Sequence, residues 1–260
     1  MRCSDVMKIL ESLSPPSFAE SWDNVGLLAG RNDKTIHKVM LALDATDDVV
    51  EQAILQGVDM LITHHPLLIS SIKKITAEDF IGRRLLKLIR NDICYYAMHT
   101  NFDIMGMADA AADALGLSHC EVLEITYEDE LSKEGIGRLG RLNHEMSVEE
   151  CAALCKEVFK VSHVRVYGEP DRMIETAAIV PGSGKDYIEA ALNKQADVFI
   201  TGDIRHHDGL DAMEQGLTII DAGHYGIEKI FVPYMEEFFN NQMPELIVYK
   251  AMEKPPFHVL

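Results

Sequence analysis

The chain has 260 residues, 47% of them hydrophobic, enough for one large domain or two small ones with a full core. Its 24 basic and 42 acidic residues give a formal net charge of −18. That field excludes nucleic acid and anionic membranes as partners, and it repels phosphorylated substrates unless a site supplies local cations. No apolar run reaches transmembrane length, and the start, Met1-Arg2-Cys3-Ser4-Asp5, lacks the apolar region of a signal peptide. The five cysteines (Cys3, Cys94, Cys120, Cys151, Cys155) are odd in number and unframed, which fits a reducing cytoplasm.

Ser4 is placed to cap a first helix with apolar positions Val6, Ile9, Leu10 and Leu13, ended by Ser14-Pro15-Pro16. A loop with the only tryptophan follows, Ser21-Trp22-Asp23-Asn24-Val25-Gly26-Leu27. Trp22 reads as a buried anchor beside a turn, with substrate contact as the alternative. Val39–Leu43 reads as a strand, and Asp47–Gln56 as a helix capped by Thr46 and closed by Gly57. Val58–Ile62 is a second strand, ending in Thr63-His64-His65-Pro66; the three elements form a parallel βαβ unit. A helix over Glu78–Asn91 leads to the strand Ile93–Met98, which stops at His99-Thr100-Asn101-Phe102-Asp103, and Ala108–Leu115 is a helix.

Tyr127–Gly135 is charged and weakly patterned, and is read as a domain boundary. This gives a first α/β lobe over residues 1–127, with the segment 224–260 packing on it, and a second over 128–223. Gly137–Leu142 and Val164–Tyr167 suggest strands. Ser147-Val148-Glu149-Glu150 is a capping box opening a helix to Lys160, which aligns Cys151 and Cys155 as buried thiols on one face.

The chain then repeats itself at an offset of 138 residues: Val58-Asp59-Met60-Leu61-Ile62-Thr63 matches Ala196-Asp197-Val198-Phe199-Ile200-Thr201. Val50, Ala53 and Ile54 map onto Ile188, Ala191 and Leu192, and the preceding strand onto Ala177–Pro181. The fold class is therefore α/β, two similar lobes from a duplicated βαβ unit, with a cleft at strand carboxyl ends. At the site position the copies diverge, His64-His65 becoming Gly202-Asp203. After His206 and His207, the strand Leu217–Ile220 runs into Asp221-Ala222-Gly223-His224, and a helix is expected over Tyr225–Asn240.

His224 and Glu228 lie four apart on a helix start and share a face. With His64, His65 and Asp103 they make three imidazoles and two carboxylates, expected at one edge of one sheet on three parallel strands. Adjacent histidines on extended backbone point opposite ways, so two neighbouring ions suit the pair better than one. The inventory fits two divalent ions of Zn, Mn, Fe, Co or Ni, with Glu228 able to bridge them. His99 is a partner that supports a ligand or a proton carrier near Asp103, or else a structural histidine. His206 and His207 either line the same cleft as proton carriers or form a solvated pair, and Asp203 is placed to orient a ligand histidine. Pro181-Gly182-Ser183-Gly184-Lys185 lies between a strand and a helix but lacks full phosphate-loop spacing.

Trp22-Asp23-Asn24-Val25-Gly26-Leu27, Thr63-His64-His65-Pro66, His99-Thr100-Asn101-Phe102-Asp103, Thr201-Gly202-Asp203 and Gly223-His224 with Glu228 together resemble the GTP cyclohydrolase 1 type 2 homologues, over nearly the whole chain. The resemblance implies a dinuclear metal centre on His64, His65, Asp103, His224 and Glu228, a toroidal homohexamer, and the compact form without the inserted domain of longer relatives. It also implies a hydrolase for a small-molecule substrate, a nucleotide among the candidates. The reaction assigned to the family opens the imidazole ring of GTP and releases formate. The rival classes are a non-catalytic metal-binding or metal-delivery protein and an assembly scaffold stapled by its metals.

Overall fold

Short apolar runs bounded by turn residues become the strands of two separate sheets. In the computed structural model, which describes residues 1–259, the chain divides into two compact units. One is Met1–Phe102 with Phe231 onwards, the other Asp103–Ile230.

In the first unit β1 (Gly26–Ala29), β2 (Lys38–Ala42), β3 (Met60–Thr63), β4 (Cys94–Ala97) and the C-terminal strand Ile247–Lys250 form one sheet, in the order β1, β4, β3, β2, C-terminal strand. β1 runs antiparallel to β4 and the rest are parallel. β3 and β4 are buried throughout, as expected for parallel strands covered on both faces. The helix Asp47–Gln56 carries the expected Thr46 cap, whose side chain accepts from Val49 N, and ends at left-handed Gly57. It packs Val49, Val50 and Ala53 into a core with Met40, Leu61, Leu88 and Tyr95. The first helix begins at Cys3, one residue before the expected Ser4 cap, because Asp5 accepts from the backbone N–H of Arg2.

The second unit holds β5 (Ser118–Glu128), β6 (Lys133–Ser147), β7 (Arg165–Tyr167), β8 (Met173–Ser183), β9 (Val198–Gly202) and β10 (Thr218–Asp221), in the order β5, β6, β8, β9, β10, β7. β8, β9 and β10 are parallel, and the other pairings are antiparallel. The Ser147–Glu150 capping box starts the helix Val148–Val158, and Cys151 and Cys155 are buried in its core face, as expected.

Several expectations are corrected here. The charged stretch Tyr127–Gly135 is the tip of the β5–β6 hairpin, where Asp129 Oδ1 accepts from the backbone of Leu131 and Ser132. Charge marks an exposed tip rather than the boundary expected between residues 127 and 128. The division falls instead after Phe102 and after Ile230. The expected helix Tyr225–Asn240 is two helices, His224–Glu228 and Phe231–Gln242. Pro233 has no N–H to offer Lys229, and a proline is tolerated in a helix only within a first turn. The donor-bearing strands belong to two sheets rather than one: β3 and β4 to the first, β10 to the second.

Candidate metal centre

His64 and His65 leave the end of β3, where their backbone N–H groups still donate to Ala42 and Leu43 of the neighbouring strand. Extended backbone would turn successive side chains apart, yet the two rings lie 4.9 Å apart. A hydroxyl relay bends the chain here. Leu67 N–H donates to Tyr95 Oη (2.7 Å), Tyr95 to Thr63 Oγ1 (2.8 Å), and Thr63 to the carbonyl of His65 (2.8 Å). Burial pushes the Tyr95 phenol up to about 12, so it stays a neutral donor.

Every histidine of this site has its Nδ1 held by an acceptor. Nδ1–H of buried His64 donates to the carbonyl of Met98 at 2.7 Å. His65 donates to Asp44 Oδ1 and His99 to Asp23 Oδ1, both at 2.9 Å. Nδ1 is thereby the donor on each ring, the arrangement that orients metal-ligating histidines. One nitrogen from each of His64, His65 and His99 falls within 4.8 Å of the others. His99 therefore lies beside the two expected ligands rather than apart from them.

Asp23 also accepts from Thr100 N (3.1 Å) and Thr100 Oγ1 (2.5 Å). Burial raises its carboxyl, but the bonds from His99 and Thr100 outweigh that and hold it down at about 2. Trp22, expected as a buried anchor, is 58% exposed and stands edge-on to His99 at 5.9 Å. The anchor of this loop is its neighbour, Asp23.

In the second unit, Asp103 does not sit in a strand-end loop. It opens the π-helical turn Asp103–Met107, inside a helical run from Thr100 to Ala114, a geometry common at functional positions. Buried Arg138 grips this turn, bonding both oxygens of Asp109 and the carbonyl of Ile104.

His224 and Glu228 follow β10 on the short helix His224–Glu228, where His224 Nδ1–H donates to Asp203 Oδ2 at 2.8 Å. His224 Nε2 then faces Glu228 Oε2 at 2.9 Å. A lone pair opposite a carboxylate is favourable only with a cation between them, a proton or a metal ion. Gly182 and Gly202 make room for this turn. A Cβ on Gly182 would overlap Glu228 Oε1, and one on Gly202 would overlap the backbone of His224. The glycines of the expected phosphate-loop-like stretch thus serve close packing. His206 and His207 are exposed at the start of the helix His206–Glu214, their rings 5.1 Å apart. Among the described residues, no cluster of three metal-type donors includes either.

Sequence reasoning missed Asp44 and assigned Asp23 no partner. The signal for Asp44 was an acidic residue at the carboxyl end of a parallel strand, one strand from the histidine pair.

The Duf34/NIF3 (NGG1p interacting factor 3) family profile matches residues 1–255. The chain belongs to this family. Its relatives include a Clostridium perfringens protein named GTP cyclohydrolase 1 type 2 homolog, 38% identical over 260 residues and covering 98% of both chains. A Streptococcus pneumoniae protein of the same name is 38% identical over 239 residues, covering 89% of this chain and 88% of its own. Among Duf34/NIF3 structures, a Bacillus cereus protein related to NIF3 superposes with a TM-score of 0.91 at 25% identity, covering 100% of this chain and 99% of its own. The two-lobed α/β fold read from the duplicated unit is the fold of this family.

Proposed function

We propose that this chain is a dinuclear divalent-metal protein acting as a hydrolase on a small heterocyclic substrate. His64, His65, Asp103, His224 and Glu228 are the residues that would hold its ions. The observation that carries the reading is the orientation of four histidines, each with its Nδ1–H donated to a carboxylate or a carbonyl, as in metal-ligating histidines. Imidazole with carboxylate is a donor set of intermediate softness, matching Zn, Mn, Fe, Co or Ni.

When bound, such ions supply Lewis acidity at an electrophilic substrate atom. The chain's own groups do the rest. Met98, Asp44 and Asp203 hold the ligand rings in register. His99, backed by Asp23, presents an acceptor nitrogen for a proton, with solvent-exposed His206 and His207 as the alternative carriers. Assembly as a homohexamer is proposed with this reading, on the sequence resemblance.

Because the relatives carry the name GTP cyclohydrolase 1 type 2 homolog, GTP is the first substrate to test. Protein loaded in turn with each candidate metal is assayed for formate and for bound metal. Metal retention with turnover of GTP or another heterocycle, lost in a folded His64→Ala variant, is the expected result. Retention without turnover of GTP or other heterocycles leaves a metal-storage or delivery protein, and failure to retain metal refutes the centre itself.

A further inference from the structure

The first unit contains a cavity of about 400 Å³ beside His65, a size suited to a small organic molecule. His65 and Asp44 contribute to its lining, with Ile69, Ile72, Phe80 and Arg84. Ile69, Ile72 and Phe80 are each exposed by 40% or more, so the cavity offers uncovered apolar surface next to metal-type donors.

Arg84 makes the cavity selective. Its Nε donates to Asp47 Oδ1 at 3.0 Å, and its guanidinium lies 4.9 Å from the centre of the Phe80 ring. Among the described residues its two Nη groups donate to no protein acceptor. A guanidinium fixed through Nε and stacked on a ring presents those two nitrogens as a flat fork, the geometry that takes a carboxylate through two parallel hydrogen bonds. Asp47 is shared with Arg83, which reaches its other oxygen at 2.8 Å. Among the residues lining the cavity Arg84 is the one guanidinium, with the Asp44 carboxylate turned to His65. In a chain of net charge −18, that single fork is a local cation suited to one carboxylate.

We propose that this cavity is the substrate pocket, and that it selects a monocarboxylate with an apolar body. The carboxylate docks on Arg84, the body covers Phe80, Ile69 and Ile72, and the reacting end lies against His65. The reacting end needs the metal centre proposed above; the carboxylate selectivity needs only the first unit.

The probes are 3-phenylpropionate and its primary amide, titrated calorimetrically into the full chain, metal-loaded and chelator-treated, with bound metal measured in each sample. The acid is expected to bind about tenfold tighter than the amide in both states, the worth of charge-assisted bonds to a fixed fork. Arg84→Gln abolishes the preference, and Arg84→Lys retains part of it. Phe80→Ala weakens acid and amide alike. Should Arg84→Gln fail to fold, as judged by circular dichroism, Arg84→Lys and Phe80→Ala carry the test. Acid preference in protein that retains no metal supports the pocket and refutes the centre. Metal retention with equal binding of acid and amide, or a preference that survives in Arg84→Gln, overturns the pocket and leaves the centre standing.

Discussion

The two βαβ copies are alike in everything that builds a sheet and different at their strand ends. Asp59 Oδ2 accepts from the backbone N–H groups of His37 and Lys38 at 2.8 and 3.0 Å; 138 residues later, Asp197 Oδ2 accepts from those of Glu175 and Thr176, both at 2.9 Å. The register repeats as well, Val39 opposite Met60 and Ala177 opposite Val198. Gly57 and Gln195 both take the left-handed conformation that ends the crossover helix, φ 59° and 56°. At the strand ends the copies part. Asp44 and His64 in the first copy correspond to Gly182 and Gly202 in the second, where the His224–Glu228 turn would collide with any Cβ. One copy supplies donors from its own strand ends, and the other gives up side chains there to seat donors borrowed from later in the chain. A repeated scaffold thus constrains its hydrogen-bonded framework tightly and its strand ends hardly at all.

The hardest blow to that contrast is Gly202→Ala. Its Cβ meets backbone that cannot swing away, so a loss of about 3 kcal/mol in chemical denaturation is expected, together with weaker binding of the metal proposed for His224 and Glu228. A wild-type melting curve would show that the glycine is incidental.

Asp44→Ala and Asp203→Ala come next. The two carboxylates orient His65 and His224 from each copy's own strand ends, and each substitution should weaken metal binding about 10- to 100-fold, with little change in folding. Competition against a chelator of known affinity measures it, and unchanged affinity removes the orienting role.

Asp23 sharpens the picture of the first copy's site by pH. Its folded value, about 2, lies below the ordinary 3.8. The stability it gives metal-free protein is therefore complete above about pH 4 and is lost as pH falls towards 2, up to about 2 kcal/mol. Asp23→Asn should flatten that acid limb in urea titrations from pH 5 to 2; an unaltered limb means the carboxylate contributes nothing.

The smallest effect tests the likeness itself. Asp59→Ala and Asp197→Ala should each cost about 1–2 kcal/mol and match one another, since each removes a twofold acceptor of backbone N–H groups at the same place in its unit. A large inequality in denaturation midpoints would mean that the repeat survives in sequence but not in energetics.

Much of this was legible in the chain itself. Thr46 and Gly57 marked one helix to the residue, Ser147 and Glu150 opened another, and the 138-residue echo announced two lobes, because caps and hydrophobic periods act within a few residues and need no distant partner. His224 with Glu228 was readable for the same reason, a spacing of four on a short helix. Tertiary structure alone decided the rest. The charge of Tyr127–Gly135 suits a linker and a hairpin tip equally, and only cross-strand pairing distinguishes them. Asp23 meets His99 across 76 residues, and Asp44 meets His65 across 21. Which nitrogen of an imidazole keeps its lone pair depends on an acceptor that folding, not sequence proximity, brings alongside.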